Sequence, residues 1–148
     1  MIGKIKYAPG TFASLVACLL FFGLINVSNI TIIFFITLIF FLYSFVAINN
    51  SFDVFNSDDP QEIVIDEVVG QTLPLLAMPI YEILYPLPMI YYLVSVFLLF
   101  RLFDIWKPYP ISYIDNNIKG ALGIMLDDIF AGIFSIITLC LILFFLGG

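Results

Sequence analysis

No charged residue occurs between Lys6 and Asp53. A soluble domain, about a quarter of whose residues are charged, does not leave so long a stretch bare. The stretch divides at Ser28-Asn29 into two apolar runs, Phe12 to Val27 and Ile30 to Ile48. A bilayer span needs about 20 apolar residues; the second run meets this and the first falls slightly short. Three further apolar segments follow: Gln71 to Tyr85, interrupted by Pro74 and Pro79, then Met89 to Phe103, then Ile129 to Leu146. Hydrocarbon offers the backbone no hydrogen bonds, so such runs must be helical. The expected fold is therefore all-α: one domain over 1–148, a polytopic membrane bundle of four to five apolar helices. Lys4 and Lys6 ahead of the first run imitate a signal peptide. A second run follows at once and no convincing small-x-small cleavage site intervenes, so the first run reads as a membrane segment.

The charges are sparse and clustered. Only 11% of residues are charged, yet the net charge is -6. Asp59-Pro60 with Glu62 is a helix-start signal. Glu62 and Asp66 then share a helix face, and Asp66-Glu67 enter an apolar helix, where carboxylates are costly unless paired or metal-bound. Arg101 and Asp104 lie three apart at the end of one apolar run. Lys107-Pro108-Tyr109-Pro110 stops that helix, and Ile111 to Lys119 reads as a short amphipathic piece at the interface. Gly120 to Gly123 should loosen the chain, with Ile124 opening the last helix and Asp127-Asp128 in its first turns. Ala8 to Thr11 should form a turn, with Thr11 either simply capping the next helix or helping its N–H groups face an anion. If the spans alternate, every Lys and Arg falls on one side, the cytoplasmic one by the positive-inside rule. Asp59, Asp66, Glu67, Asp104, Asp127 and Asp128 fall there too. Tyr81, Tyr85, Tyr91 and Tyr92 are expected as an aromatic belt at the far interface, near Glu82. Cys18 and Cys140 lie in apolar runs and read as small buried hydrophobes.

Two acidic pairs from different helices, Asp66-Glu67 and Asp127-Asp128, form an oxygen-only ligand set, which suits Mg²⁺. Asp104 adds a fifth carboxylate. Arg101 and Lys107 supply cations for a phosphate. Each cluster also has a plainer reading: Arg101–Asp104 as a structural ion pair, Asp127-Asp128 as helix-dipole acids. Mutual neutralisation would leave the acids in excess. Acids for a metal beside cations for an anion imply a phosphorylated substrate, and the membrane surface implies a lipid one. The chain has no His, no Cys followed by Arg six residues on, and no Asp-x-Asp. This leaves attack on phosphorus by metal-activated water, with one unassigned carboxylate as base. A small cation transporter or channel using the same acids is the alternative. It predicts carboxylates near mid-membrane and inverted repeats, and only Glu82 lies away from the charged end. Nothing in the charge pattern implies a nucleic acid or a protein partner.

Four blocks carry a resemblance to a known family. They are Pro9-Gly10-Thr11, Ile63 to Gly70 (IVIDEVVG), Phe100 to Ile111 (FRLFDIWKPYPI) and Lys119 to Asp128 (KGALGIMLDD). In that order they resemble the phosphatidylglycerophosphatase A family of bacterial membrane phosphatases. The resemblance implies Mg²⁺-dependent removal of the terminal phosphate of phosphatidylglycerophosphate at the cytoplasmic face of the inner membrane. It maps catalytic acids onto Asp66, Glu67, Asp104, Asp127 and Asp128, with Asp66, Glu67, Asp127 and Asp128 toward the metal. Arg101, Lys107 and Thr11 are expected at the phosphate.

Overall fold

The computed structural model describes residues 9–55, 65–85 and 88–147. They form seven helices and no strand: α1 (Pro9–Ile25), α2 (Ile30–Phe55), α3 (Ile65–Leu76), α4 (Met78–Leu84), α5 (Met89–Trp106), α6 (Ile111–Asn117) and α7 (Ala121–Gly147). Three of these, α2, α5 and α7, are long and apolar enough to cross a membrane, and α1 is a shorter apolar helix. The chain is a membrane protein. Ile32, Phe35, Ile39 and Leu42 of α2 are all exposed, as lipid-facing side chains would be.

The short helix α3 is the hub, packed against α1, α2, α5 and α7. Its sequence explains why. Without a hydrophobic drive between helices in lipid, close packing depends on small residues that let backbones approach. A Cβ on Gly70 would stand 2.7 Å from the Asp128 Cβ and 2.9 Å from the Phe100 ring. A Cβ on Gly132 of α7 would stand 2.8 Å from the Gly70 carbonyl oxygen. That carbonyl is the one Pro74, lacking an N–H, leaves without its partner in the helix. So α3 and α7 cross backbone to backbone where the α3 ladder is interrupted.

The third apolar segment is indeed broken, at Ala77 between α3 and α4. The break changes the tyrosine assignment. Tyr81 and Tyr92 are core residues, not interface residues, with ring centroids 4.8 Å apart. Tyr81 donates its hydroxyl hydrogen to the Ile136 carbonyl at 2.8 Å, and Tyr92 donates to the Pro74 carbonyl. Helix breaks in a membrane expose carbonyls, and a buried phenol can satisfy one while filling space. Of the four tyrosines expected at the far interface, Tyr91 is the well-exposed one. Tyr92→Phe should therefore lower stability by about 1 kcal/mol, read as a lower thermal midpoint in detergent.

Two glycine-bearing blocks also differ from expectation. Pro9-Gly10-Thr11 is the first turn of α1 rather than a turn before it. Proline's fixed φ and missing N–H suit that position, where the N–H would be unpaired anyway. The final helix begins at Ala121, so Gly123 lies inside it, where a Cβ would stand 1.8 Å from the Ile118 carbonyl oxygen. Gly123 tightens the α6–α7 junction instead of loosening it, and the left-handed turn falls on Gly120, at φ 82°.

Candidate active site

The crossing of α3 and α7 sets the site. Asp66 and Glu67 occupy the first turn of α3, and Gly70 follows one turn later. The same close approach that seats Gly70 against Asp128 brings Asp127-Asp128 beside Asp66-Glu67. Asp66, Asp127 and Asp128 are 8%, 7% and 3% exposed. Asp128 lies in the field of Asp66, Asp104, Asp127 and Glu67 together. One oxygen each of Asp66 (Oδ1), Glu67 (Oε2) and Asp128 (Oδ1) is buried without a hydrogen-bond partner. Like charges buried together with unpartnered oxygens are unfavourable unless a cation joins them.

Helix α5 supplies one cation. Arg101 Nη1 lies 2.6 Å from Asp104 Oδ2 and 3.8 Å from Glu67 Oε1. The nearer contact is a tight ion pair, and the Arg101 Nε is buried with no hydrogen-bond partner. The Nε donor of the guanidinium is thus open to an anion, while Nη1 is engaged by Asp104. The pair expected from the three-residue spacing is present, and it extends from α5 to α3 through Glu67.

Lys107 closes the other flank. It ends α5 in the left-handed region at φ 45°, with its N–H donating to the Phe103 carbonyl at 2.8 Å. From there Nζ donates to Asp115 Oδ1 and Asp127 Oδ2, each at 2.7 Å. Burial alone would lower the Lys107 pKa. The hydrogen bonds to Asp115 and Asp127 outweigh it, holding the ammonium above its ordinary value and charged. Asp115 had no assigned role from sequence; here it shares Lys107 with Asp127 and ties α6 to the site. Asp127 is held twice, since its Oδ1 also accepts the Asp128 N–H at 3.0 Å.

Gly10 of α1 packs directly on this cluster, where a Cβ would stand 1.7 Å from Glu67 Oε1. Half-buried Thr11 is its neighbour, and among the described residues it makes no hydrogen bond to the acids. Gln71, one turn past Glu67 on α3, is fully buried with both amide atoms unpartnered. A lone amide beside the Asp-Glu pair was the available signal for it. Lys4, Lys6, Asp59, Pro60 and Glu62 lie outside the described residues. Lys119 is exposed on the α6–α7 link, and Glu82 is exposed on α4, at the opposite end of the bundle.

The donor set can be tested against Mg²⁺. Among the described residues no three carboxylates converge as a ready-made ligand group. Mg²⁺ does not require one: it is usually held by one or two carboxylates and keeps several waters. Unpartnered carboxylate oxygens on Asp66, Glu67 and Asp128, with no nitrogen or sulfur donor among them, fit that ion.

The sequence profile of the family Phosphatidylglycerophosphatase A matches residues 1–143. A Bacteroides thetaiotaomicron protein carrying the provisional name phosphatidylinositol-3-phosphatase is 32% identical over 148 residues, covering 98% of this chain and 89% of that protein. A Haemophilus influenzae protein named phosphatidylglycerophosphatase A is 33% identical, covering 92% of this chain and 79% of the relative. An Escherichia coli protein of the same name is 38% identical over 89 residues, 60% of this chain and 45% of the relative. No solved structure matches the chain. With acids from α3 and α7 and the cation of α5 gathered at one end of a membrane bundle, and a profile match over nearly its whole length, the chain belongs to the phosphatidylglycerophosphatase A family of membrane phosphatases.

Proposed function

We propose that this chain hydrolyses the terminal phosphate of phosphatidylglycerophosphate, giving phosphatidylglycerol and phosphate, at the cytoplasmic face of the bacterial inner membrane. The observation that carries the reading is the pairing of free carboxylate oxygens with an unpartnered guanidinium Nε in one buried cluster. Acids alone would suit a cation and Arg101 alone an anion; together they suit a phosphate that arrives with a metal.

Asp66, Glu67 and Asp128 would hold Mg²⁺ through their unpartnered oxygens, with Asp127, already bonded to Lys107, adding its charge beside them. Bound there, the ion supplies positive charge that offsets the carboxylates and polarises the phosphoryl oxygens. Arg101 donates from Nε to a non-bridging oxygen, on which charge builds as the bond to the leaving oxygen lengthens. Glu67, in reach of the guanidinium, and Asp104, in contact with it, orient Arg101. Lys107 keeps Asp127 ionised and fixed, and its own charge adds to the field at the phosphate. Thr11, beside Gly10, adds a hydroxyl at the phosphate. A carboxylate with a free oxygen accepts the proton of the attacking water, and the departing alkoxide of phosphatidylglycerol takes one up.

Gly10→Ala tests how closely Glu67 must be placed. The intruding methyl meets only the end of the Glu67 side chain, so the fold should survive while the carboxylate moves. Misplacement of about an ångström costs on the order of 10²-fold in rate; kcat measured alongside thermal unfolding checks both halves. The substrate assignment is tested by phosphate release from phosphatidylglycerophosphate and from phosphatidylinositol 3-phosphate, presented at equal surface density. The second lipid is included because of the name carried by the Bacteroides relative. A clear preference in kcat/KM for phosphatidylglycerophosphate is expected; the reverse preference would reassign the substrate.

A further inference from the structure

An apolar groove of about 250 Å³ lies between α1 and α5. Leu15, Leu19 and Phe22 line it from α1, and Ile90, Val94 and Phe97 from α5. Both triplets follow i, i+4, i+7 spacing, so each is a single helix face. One more turn toward the charged end extends the α1 face to Thr11 and the α5 face to Arg101. Those two positions belong to the acid cluster already described: Gly10, beside Thr11, packs on Glu67, and Arg101 lies 3.8 Å from it. The groove therefore runs down the bundle from the site, spanning roughly 10 Å along α5 between Phe97 and Ile90 at 1.5 Å per residue.

The charge pattern separates this groove from its neighbours. Another groove lies between α1, α2 and α3, along Leu20, Phe40 and Val68, and a third lies between α2, α3 and α7, along Leu38, Leu73 and Ile129. Their lining helices carry no Lys or Arg. Among the described helices only α5 carries a cation, and the Nε of that guanidinium is buried without a partner. An all-apolar channel headed by an anion-ready guanidinium matches the polarity of a phospholipid read from tail to phosphate.

We propose that the groove between α1 and α5 seats an acyl chain of the substrate lipid and so delivers its phosphate end to Arg101. This rests on the lipid phosphatase reading and adds where the tail lies. The other grooves, with no cation at their head, are left to ordinary bilayer lipid. Leu19 and Val94 are exposed to lipid, so a larger apolar side chain at either fills the groove without entering the core.

Leu19→Trp and Val94→Trp are compared with Leu38→Trp, a filling substitution in the α2–α7 groove. Each variant is assayed on dipalmitoyl and on dihexanoyl phosphatidylglycerophosphate in mixed micelles. The hexanoyl chains reach only the upper groove. For Leu19→Trp and Val94→Trp, kcat/KM on the long-chain lipid should fall at least tenfold, mainly through KM, with the short-chain lipid little changed. Leu38→Trp should match wild type on both. Unchanged long-chain kinetics, parallel losses on the two lipids, or an equal loss in Leu38→Trp would overturn the groove. Wild-type protein inactive on both lipids would instead sink the phosphatase reading. In that case a photoreactive phosphatidylglycerophosphate with a diazirine in its tail decides the groove: labelling of α1 and α5 over α2 supports it, and equal labelling of α2 overturns it.

Discussion

Asp128→Asn should cost roughly 10³-fold in kcat and yet raise the thermal midpoint of the metal-free protein. Both effects come from the same geometry. Asp128 is 3% exposed, has an unpartnered Oδ1, and stands among Asp66, Asp104, Asp127 and Glu67. Removing its charge relieves like-charge repulsion in a low-dielectric pocket, where such repulsion is strong. It also removes an oxygen placed for the metal and the transition state, and losses of about 10²–10³ are typical when one such electrostatic group is deleted. Asn nearly preserves shape and can still accept from neighbouring donors, so packing at Gly70 should hold. Phosphate release and a thermal melt on the same preparation check the pair of outcomes. A variant with full activity would remove Asp128 from the site. One with lost activity and a lower midpoint would make it a structural residue.

Gly70→Val should abolish activity by a different route, unfolding the crossing that builds the site. The first added carbon alone would stand 2.7 Å from the Asp128 Cβ and 2.9 Å from both the Asp128 carbonyl oxygen and the Phe100 ring. None of these is the free end of a flexible chain. Phe100 is fully buried, and α7 is held on the same side by Gly132 over the Gly70 carbonyl. The helices must separate, at a cost of about 3 kcal/mol by the measure of overpacked cores. The separation would also part Asp66-Glu67 from Asp127-Asp128. Unfolding in graded denaturant should show the loss, and added Mg²⁺ should recover little of it. A well-folded, active Gly70→Val protein would mean that α3 and α7 do not meet as described.

The two predictions also mark where sequence reading succeeds and where it stops. Charged groups in apolar helices announce themselves because hydrocarbon makes them costly, so Asp66-Glu67, Arg101-Asp104, Lys107 and Asp127-Asp128 were legible one by one. The structure gathers all of them at one end of the bundle. What brings them together was not legible. Gly70 and Gly132 look like ordinary glycines until the partner helix is in place, because a close approach is a property of two segments and not of either alone. Gly123 was read as a loosening residue for the same reason, with the Ile118 carbonyl it accommodates lying outside its own helix. Tyr81 and Tyr92 were placed at the interface because aromatic residues near span ends usually belong there. The break at Ala77 turns the Pro74 carbonyl into a partner for Tyr92, and that pairing is visible only in three dimensions. Asp115 was ambiguous in a short amphipathic stretch; the left-handed turn at Lys107 swings the ammonium back to meet it.

The central claim is that the acids at the α3–α7 crossing work through a divalent cation on a lipid phosphate. Phosphate release from phosphatidylglycerophosphate, followed as free Mg²⁺ is raised from a chelated start, tests it most directly. The account predicts no release under chelation and a saturable rise with Mg²⁺. Release that proceeds unchanged in excess chelator would contradict it, leaving the carboxylates of α3 and α7 without the role their burial implies.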